Sequence, residues 1–368
     1  MATLEDYRNE IDNIDNELIS LFERRMNVAK KVAEYKKQNN LPILNEKREE
    51  EVILKNVNLL KNKEYSKITK EFFEKIMELS RELQSELINN KEEKIVKIGY
   101  QGVKGSFSEE ALIKYFKSYE ALESYDEFID VFKALEKDEI KYGVLPIENS
   151  YTGAITEVYD LLVKYNFYIV GEECIKINQH LLGVKGSRIE EIKEIYSHPQ
   201  GFAQSKSFLS NLKSVKLIPY HNTAISAKYV SENDDFTKAA IASKRAGEIY
   251  GLETLKENIN DNKDNYTKFI IIGKDLAYDY ECNKISVVFS LEDKAGTLYN
   301  LLRYFAENNI NMIKIESRPN KNESWKYLLY VDFEGNLDEF YVKSALNLIQ
   351  KNSIYFKIIG NYKKVNNN

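Results

Sequence analysis

Neither proline nor glycine occurs between Leu4 and Gln38, and Ile11, Ile14, Leu18, Leu21, Val28, Val32 and Tyr35 recur along that stretch as a heptad seam. One long helix is therefore expected. Arg25 falls on the seam where an apolar side chain belongs, and Lys36 follows three turns later at nearly the same angle. A lone charge in such a place usually snorkels at an edge, whereas two cations flanking one apolar stripe suit an anion equally well. Pro42 breaks the run. A second helix is expected from about Asn45, which shares a face with Glu49 at i,i+4, beside Arg48. A third, over roughly Ser66 to Ile88, carries Phe73, Met77, Ser80, Gln84 and Leu87 on one stripe. Ser80 and Gln84 thus set polar groups into a face that should be buried, either as a satisfied core pair or as part of a site.

At 368 residues the chain exceeds one core and predicts two or three domains. Its 43% hydrophobic and 30% charged residues are those of a globular protein. Lys+Arg 53 against Asp+Glu 58 leaves no excess positive charge to attract nucleic acid or an anionic membrane. Cys174 and Cys282 stand far apart, and His180, His198 and His221 never pair at helical spacing, so no metal site is expected and a reducing, cytoplasmic setting fits. The N-terminus lacks an apolar leader core and no apolar run is long enough to span a bilayer, which predicts a soluble, non-exported protein.

The run from Asn89 to Lys94 reads as a charged linker. Beyond it strands and helices alternate through Asp275, predicting a largely parallel sheet, a second lobe over about 174–250, and a cleft between the two lobes. The centre is organised around Gly143 to Asp160, GVLPIENSYTGAITEVYD: a short apolar strand stopping at Pro146, the polar loop Glu148-Asn149-Ser150, and an amphipathic helix bearing Ile155, Val158, Tyr159, Leu161 and Leu162. A loop in that position receives small anions in open α/β sheets. The plainer reading, which the letters alone favour, makes Asn149, Ser150 or Thr152 the helix cap. From Lys284 the order is strand, helix, strand, strand, helix, strand, or βαββαβ, followed by a tail from Lys363 to Asn368 expected to be disordered.

Arg8, Arg25, Lys36, Arg48-Glu49 and Ser80 with Gln84 resemble, in order and spacing, the all-helical chorismate mutases. The resemblance implies Arg25 and Arg8 on the two carboxylates of chorismate, Lys36 and Gln84 donating to the ether oxygen, Glu49 and Asn45 on the hydroxyl, and Arg48 and Ser80 completing the shell. Asn45 stands where that family often has Asp. A pericyclic rearrangement to prephenate asks only for a held conformer and stabilised charge. Arg8 and Arg25 are 17 positions apart. On one straight helix their Cα atoms are ~26 Å apart, so both serve one site only if Arg8 comes from a second copy in an intertwined dimer.

KGSFS, PIENS, SHPQ and NYTKF, in that order, resemble prephenate dehydratase. This implies that Thr267 donates a proton to the leaving hydroxyl of prephenate, with Ser106, Asn149 and Ser150 lining a hydrogen-bond chain. Lys268 replaces the usual arginine and lacks its planar fork, while His198, before Pro199, reads as a turn residue. The C-terminal pattern resembles an ACT domain: Gly296-Thr297-Leu298 and Glu316-Ser317-Arg318-Pro319 imply phenylalanine feedback, with Gly296, Leu298, Glu316, Ser317 and Arg318 on the effector.

The expectation is a multidomain chain: an all-α three-helix chorismate mutase module over 1–90, a two-lobed α/β dehydratase domain like periplasmic binding proteins over 94–275, and an α+β ferredoxin-like ACT domain over 284–362. A bifunctional enzyme without metal or cofactor, a homodimer or a tetramer, would follow. Two rivals stand beside it. One keeps only the dehydratase, the helical module serving as a dimerisation element; the other is a two-lobed amino-acid sensor without catalysis.

Overall fold

The computed structural model describes residues 3–39, 44, 46–89, 96–116, 121–212, 214–277, 279–320 and 326–365. The chain divides into two compact units, Met1–Lys94 and Ile95–Asn368. No helix among the described residues is long and apolar enough to cross a membrane.

The first unit consists of α1 (Leu4–Gln38), α2 (Glu46–Leu59) and α3 (Ser66–Asn89). Thr3 and Asp6 bond reciprocally at the start of α1, the Thr3 hydroxyl accepting from Asp6 N–H and the Asp6 carboxylate accepting from Thr3 N–H, which satisfies donors that a helix leaves open. Both α1 and α2 pack on α3. The heptad seam does not make that contact. Ile11, Ile14, Leu18, Leu21, Val28, Val32 and Tyr35 are each 40–62% exposed within the chain. The face of α1 turned inward is instead Arg25, Met26, Ala29, Ala33 and Lys36, because two alanines let the α3 backbone approach where larger side chains would hold it off. Pro42 and Asn45, read as the break and start between helices, lie outside the described residues.

The second unit opens with β1 (Lys97–Gln101), α4 (Phe107–Tyr115), β2 (Ala121–Tyr125), α5 (Phe128–Glu136), β3 (Tyr142–Asn149), the two-residue β4 (Gly153–Ala154), α6 (Thr156–Tyr165) and β5 (Tyr168–Lys176). The chain then crosses to a second sheet through β6 (His180–Gly183), β7 (Glu194–Ser197), α7 (Pro199–Gln204), α8 (Lys206–Ser210), β8 (Lys216–Pro219), α9 (Thr223–Asn233), β9 (Lys238–Ala242), α10 (Lys244–Tyr250) and β10 (Glu253–Lys256). It returns along β11 (Tyr266–Gly273). The sheets are mixed rather than largely parallel. β1 is parallel to β2 and β3, and β7 to β8 and β9, but β11 runs antiparallel to both β3 and β5, and in the second sheet β6 runs antiparallel to both β9 and β10. A chain that leaves a lobe and comes back must run its two crossings in opposite directions, and here β5 and β11 lie side by side. The second sheet spans His180 to Lys256, so Cys174 belongs to the first lobe.

β3 does not stop at Pro146. It continues to Asn149 across a bulge, where Lys268 pairs with Glu148 but Phe269 pairs with Pro146, leaving Ile147 as the extra residue. A bulge tolerates a residue with no N–H to give the ladder. The carbonyl of Ile147 accepts instead from Ile155 N–H at 2.9 Å, which turns the chain back toward α6.

β12 (Lys284–Ser290), α11 (Thr297–Glu307), β13 (Met312–Pro319), β14 (Tyr327–Glu334), α12 (Phe340–Lys351) and β15 (Tyr355–Tyr362) follow as βαββαβ. Their sheet joins the first lobe by β15 pairing with β5, in the order β13-β14-β12-β15-β5-β11-β3-β1-β2. Every residue of β12 is buried, for a reason that strand alternation supplies. Ile285, Val287 and Phe289 pack beneath the unit's own helices with Leu301, Phe305 and Val342, while Val288 joins the core built on α6. Lys284, on the α6 side, is 1% exposed and pairs with Glu172 of β5 at 2.7 Å and Asp332 of β14 at 3.2 Å. Burial alone would lower its pKa, but Tyr362, Asp332 and Glu172 hold the ammonium above its ordinary value. The tail is not loose over its described part: Lys364 N–H donates to Asn283, and Val365 N–H donates to Glu172 at 3.0 Å.

Candidate active sites

The bulge and the crossing strands together set up the first site. Asn149, at the end of β3, lies opposite Thr267 on β11, and both are buried. The Asn149 amide donates to Thr267 Oγ1 at 2.9 Å, to Asn265 Oδ1 at 2.8 Å and to the Tyr266 carbonyl at 3.1 Å, and its Oδ1 accepts from Tyr151 and Thr152 N–H. The cap reading of the loop therefore fails: α6 starts after Ile155 with no side-chain cap, because the Asn149 side chain is fully engaged across the crossing strands. Thr267 and Asn149 floor a cleft of about 350 Å³ between the two lobes, lined also by Gln101, Ser106, Phe107 and Thr152 from one side and His198, Gln200, Gln204, His221 and Thr223 from the other. Gln200 reaches over it to donate to Thr152 Oγ1 at 3.0 Å.

Ser106 lines the cleft and also caps α4, accepting from Glu109 N–H at 3.4 Å, so the helix starts at Phe107 and not at Glu109. Ser150 does not line it. Its hydroxyl accepts from Tyr266 N–H at 2.9 Å and donates to the Asp264 carbonyl, tying the loop to the start of β11. Lys268 is likewise absent from the lining, consistent with strand alternation, which carries Thr267 and Phe269 inward. His198 keeps its turn role: Nδ1 accepts from Gln200 N–H and caps α7 ahead of Pro199, and burial lowers its pKa, which keeps the ring neutral. Gln179 was not anticipated. It is 3% exposed, donates to Gln204 at 3.2 Å, and its Oε1 has no partner among the described residues. No sequence pattern marks a lone glutamine between two crossing strands. The described lining contains no Asp, Glu, Lys or Arg.

In the helical unit Arg25 donates to Ser80 Oγ and to the Ile76 carbonyl, joining the inner face of α1 to α3. Gln84, one turn on, is buried and donates to the Ser80 carbonyl at 3.1 Å, while its Oε1 has no partner among the described residues. Lys36 is half-buried on the same face of α1. Glu49 is paired with Arg81 of α3, a cation that sequence reasoning passed over because it falls one position beyond Ser80, off the apolar stripe. Arg48 bonds Glu51 at 3.2 Å on the surface, and Asn45 lies outside the described residues. Arg8 is not brought to this group: it is exposed and pairs with Glu5 at 3.6 Å.

In the C-terminal part, Gly296 opens α11 with a φ of 86° and Leu298 is 38% exposed. Alternation along β13 splits the other three residues. Glu316 and Arg318 face inward, where Arg318 pairs with Asp160 of α6 at 3.3 Å, whereas Ser317 faces solvent.

Residues 7–85 match the family Chorismate mutase type II, and residues 98–277 match Prephenate dehydratase. A bifunctional chorismate mutase/prephenate dehydratase of Aquifex aeolicus is 35% identical over 366 residues, covering 99% of this chain and 99% of that protein. The solved prephenate dehydratase of Arthrobacter aurescens, in complex with L-Phe, aligns with a TM-score of 0.67 at 28% identity, over 73% of this chain and 90% of that one. A structure described as a novel type of quorum quenching acylase aligns equally well, with a TM-score of 0.67 at 26% identity over 73% of this chain and 98% of its own, so the fold alone does not fix the chemistry. Identity that runs through both units at full length does: the chain belongs to the bifunctional chorismate mutase/prephenate dehydratases.

Proposed function

We propose that the helical unit rearranges chorismate to prephenate, that the cleft of the two-lobed unit converts prephenate to phenylpyruvate, and that phenylalanine acts as effector through the βαββαβ part, read as an ACT domain. The observation that carries the dehydratase assignment is the Asn149–Thr267 hydrogen bond at 2.9 Å on the cleft floor. A hydroxyl that accepts from an amide keeps its one hydrogen for another acceptor. Thr267 then donates to the ring hydroxyl of prephenate as the carbon–oxygen bond breaks and water departs, and its oxygen takes a proton back from solvent, so that one proton is consumed per turnover. The bond to the ring carboxylate breaks in the same event, its electrons completing the aromatic ring as carbon dioxide leaves. A described lining without Lys or Arg favours that loss, since neither a fixed ammonium nor a guanidinium holds the carboxylate.

For the mutase, the proximity of Arg25, Ser80 and Gln84, with Lys36 on the same face, supports carboxylate and ether-oxygen binding, and Arg8 of a second copy completes the pocket. The exposed seam of α1 is the surface that such a copy covers, in a cytoplasmic homodimer. Glu49 and Asn45 would take the substrate hydroxyl, Arg48 and Ser80 the outer contacts, and Gly296, Leu298, Glu316, Ser317 and Arg318 the effector.

Incubation with chorismate tests the whole reading: prephenate appears first, phenylpyruvate follows, and added phenylalanine slows the second step. Thr267→Val, which preserves volume, leaves chorismate consumption intact and slows phenylpyruvate formation by about 100-fold or more. Phenylpyruvate formed at the wild-type rate by this variant would sink the assignment of Thr267.

A further inference from the structure

Asn149 is held from one side by β11 and, through its neighbour, from the other side by β13. Glu148 sits between the bulge at Ile147 and Asn149. Its carboxylate is paired with Lys314 Nζ at 2.9 Å, and the same ammonium donates to Tyr159 Oη at 3.0 Å and lies 5.3 Å from the centre of that ring. The Lys314 side chain is 16% exposed and that of Glu148 31%, so the pair is partly shielded from bulk solvent. Two positions along the same inward face comes Glu316, and two further Arg318, whose pair with Asp160 fixes α6, the helix that follows the Asn149 loop. The edge strand of the C-terminal sheet thus grips the catalytic loop at its strand end and at its helix.

We propose that Lys314 is a positioning residue for the dehydratase reaction: by anchoring Glu148 it fixes the bulged end of β3, and with it the Asn149 amide that orients the Thr267 hydroxyl. The physical need is local. A bulge removes ladder bonds where the strand must hold a side chain to within a fraction of an ångström, and an ion pair from a separate strand restores that constraint. The inference rests on the reading of Asn149 and Thr267 as the dehydratase centre.

The bifunctional chain supplies its own control, since mutase and dehydratase rates are measured on one preparation. Lys314→Met lowers kcat with prephenate by about tenfold to a hundredfold, as expected for a misplaced reacting group, with KM within about twofold. Mutase kcat with chorismate stays at the wild-type value. Lys314→Arg recovers most of the loss. Glu148→Gln, which reaches the same pair from the other side, lowers kcat comparably, and the double variant is no worse than the weaker single one, because both remove one interaction. A wild-type kcat in Lys314→Met, a loss confined to KM, or additive losses in the double variant would each overturn the proposal. Asn149→Ala separates this from the underlying assignment: full dehydratase activity there removes the site itself, whereas its collapse beside an unaffected Lys314→Met removes only the role of Lys314.

Discussion

At the scale of single residues, several of the positions proposed to carry chemistry have side chains that leave their own element to reach another. Asn149 could have capped α6; instead it spends its amide on Asn265, Tyr266 and Thr267, all on or beside a strand more than a hundred positions away in the chain. Arg81 is the counterpart in the helical unit. Its guanidinium faces Glu49 with both side chains about a quarter to a third exposed (31% and 25%), so the pair is only partly screened. Removing the cation in Arg81→Met frees the Glu49 carboxylate to swing away from a substrate hydroxyl. Mutase kcat/KM is expected to fall about threefold to tenfold, with dehydratase rates unchanged; a steady-state comparison of both activities checks it, and Arg81→Lys should fall between. Motif spacing made Glu49 legible. Arg81 was not, because its meaning depends on which way α2 packs on α3.

At the scale of elements, β12 repays attention because it has no exposed face. Its alternating pattern reads as an ordinary half-buried strand until Lys284 is considered, which no single-sheet picture accommodates. The structure resolves this by using β12 as a shared wall: odd positions meet α11 and α12, even positions meet α6 and β5. Lys284→Met leaves Glu172 buried without its counter-charge and is expected to destabilise the second unit by about 3–5 kcal/mol. Denaturant unfolding of the full chain, followed by tryptophan-independent far-ultraviolet signal, measures this; an unchanged midpoint would show that Val365 N–H alone satisfies the carboxylate. α1 makes the opposite point. Its helical period was plain in the sequence, yet the face that packs inside the chain is the alanine stripe, and the stronger apolar seam is left uncovered.

At the scale of the whole molecule, the proposed second copy would both cover that seam and bring an Arg8 to Arg25. If each mutase site takes Arg25 from one subunit and Arg8 from the other, Arg8→Ala and Arg25→Ala are each inactive alone. Mixing and reassembling them restores one intact site in each mixed dimer, or roughly a quarter of the wild-type rate for random twofold pairing. Two inactive parents whose mixture stays inactive after subunit exchange would argue for sites built within one chain. What the sequence by itself determined about this protein is what depends on local periodicity and on the order of motifs: the long helices, the βαββαβ order, and the pairing of two activities in one chain. The tertiary structure decided which face of α1 packs inside, the mixed direction of the sheets, the bulge that carries β3 past Pro146, and the engagement of Asn149 with Thr267 and of Lys314 with Glu148. These are contacts between residues distant in sequence, whose energies come from geometry that only the folded chain brings within hydrogen-bonding range, and no local pattern of letters encodes them.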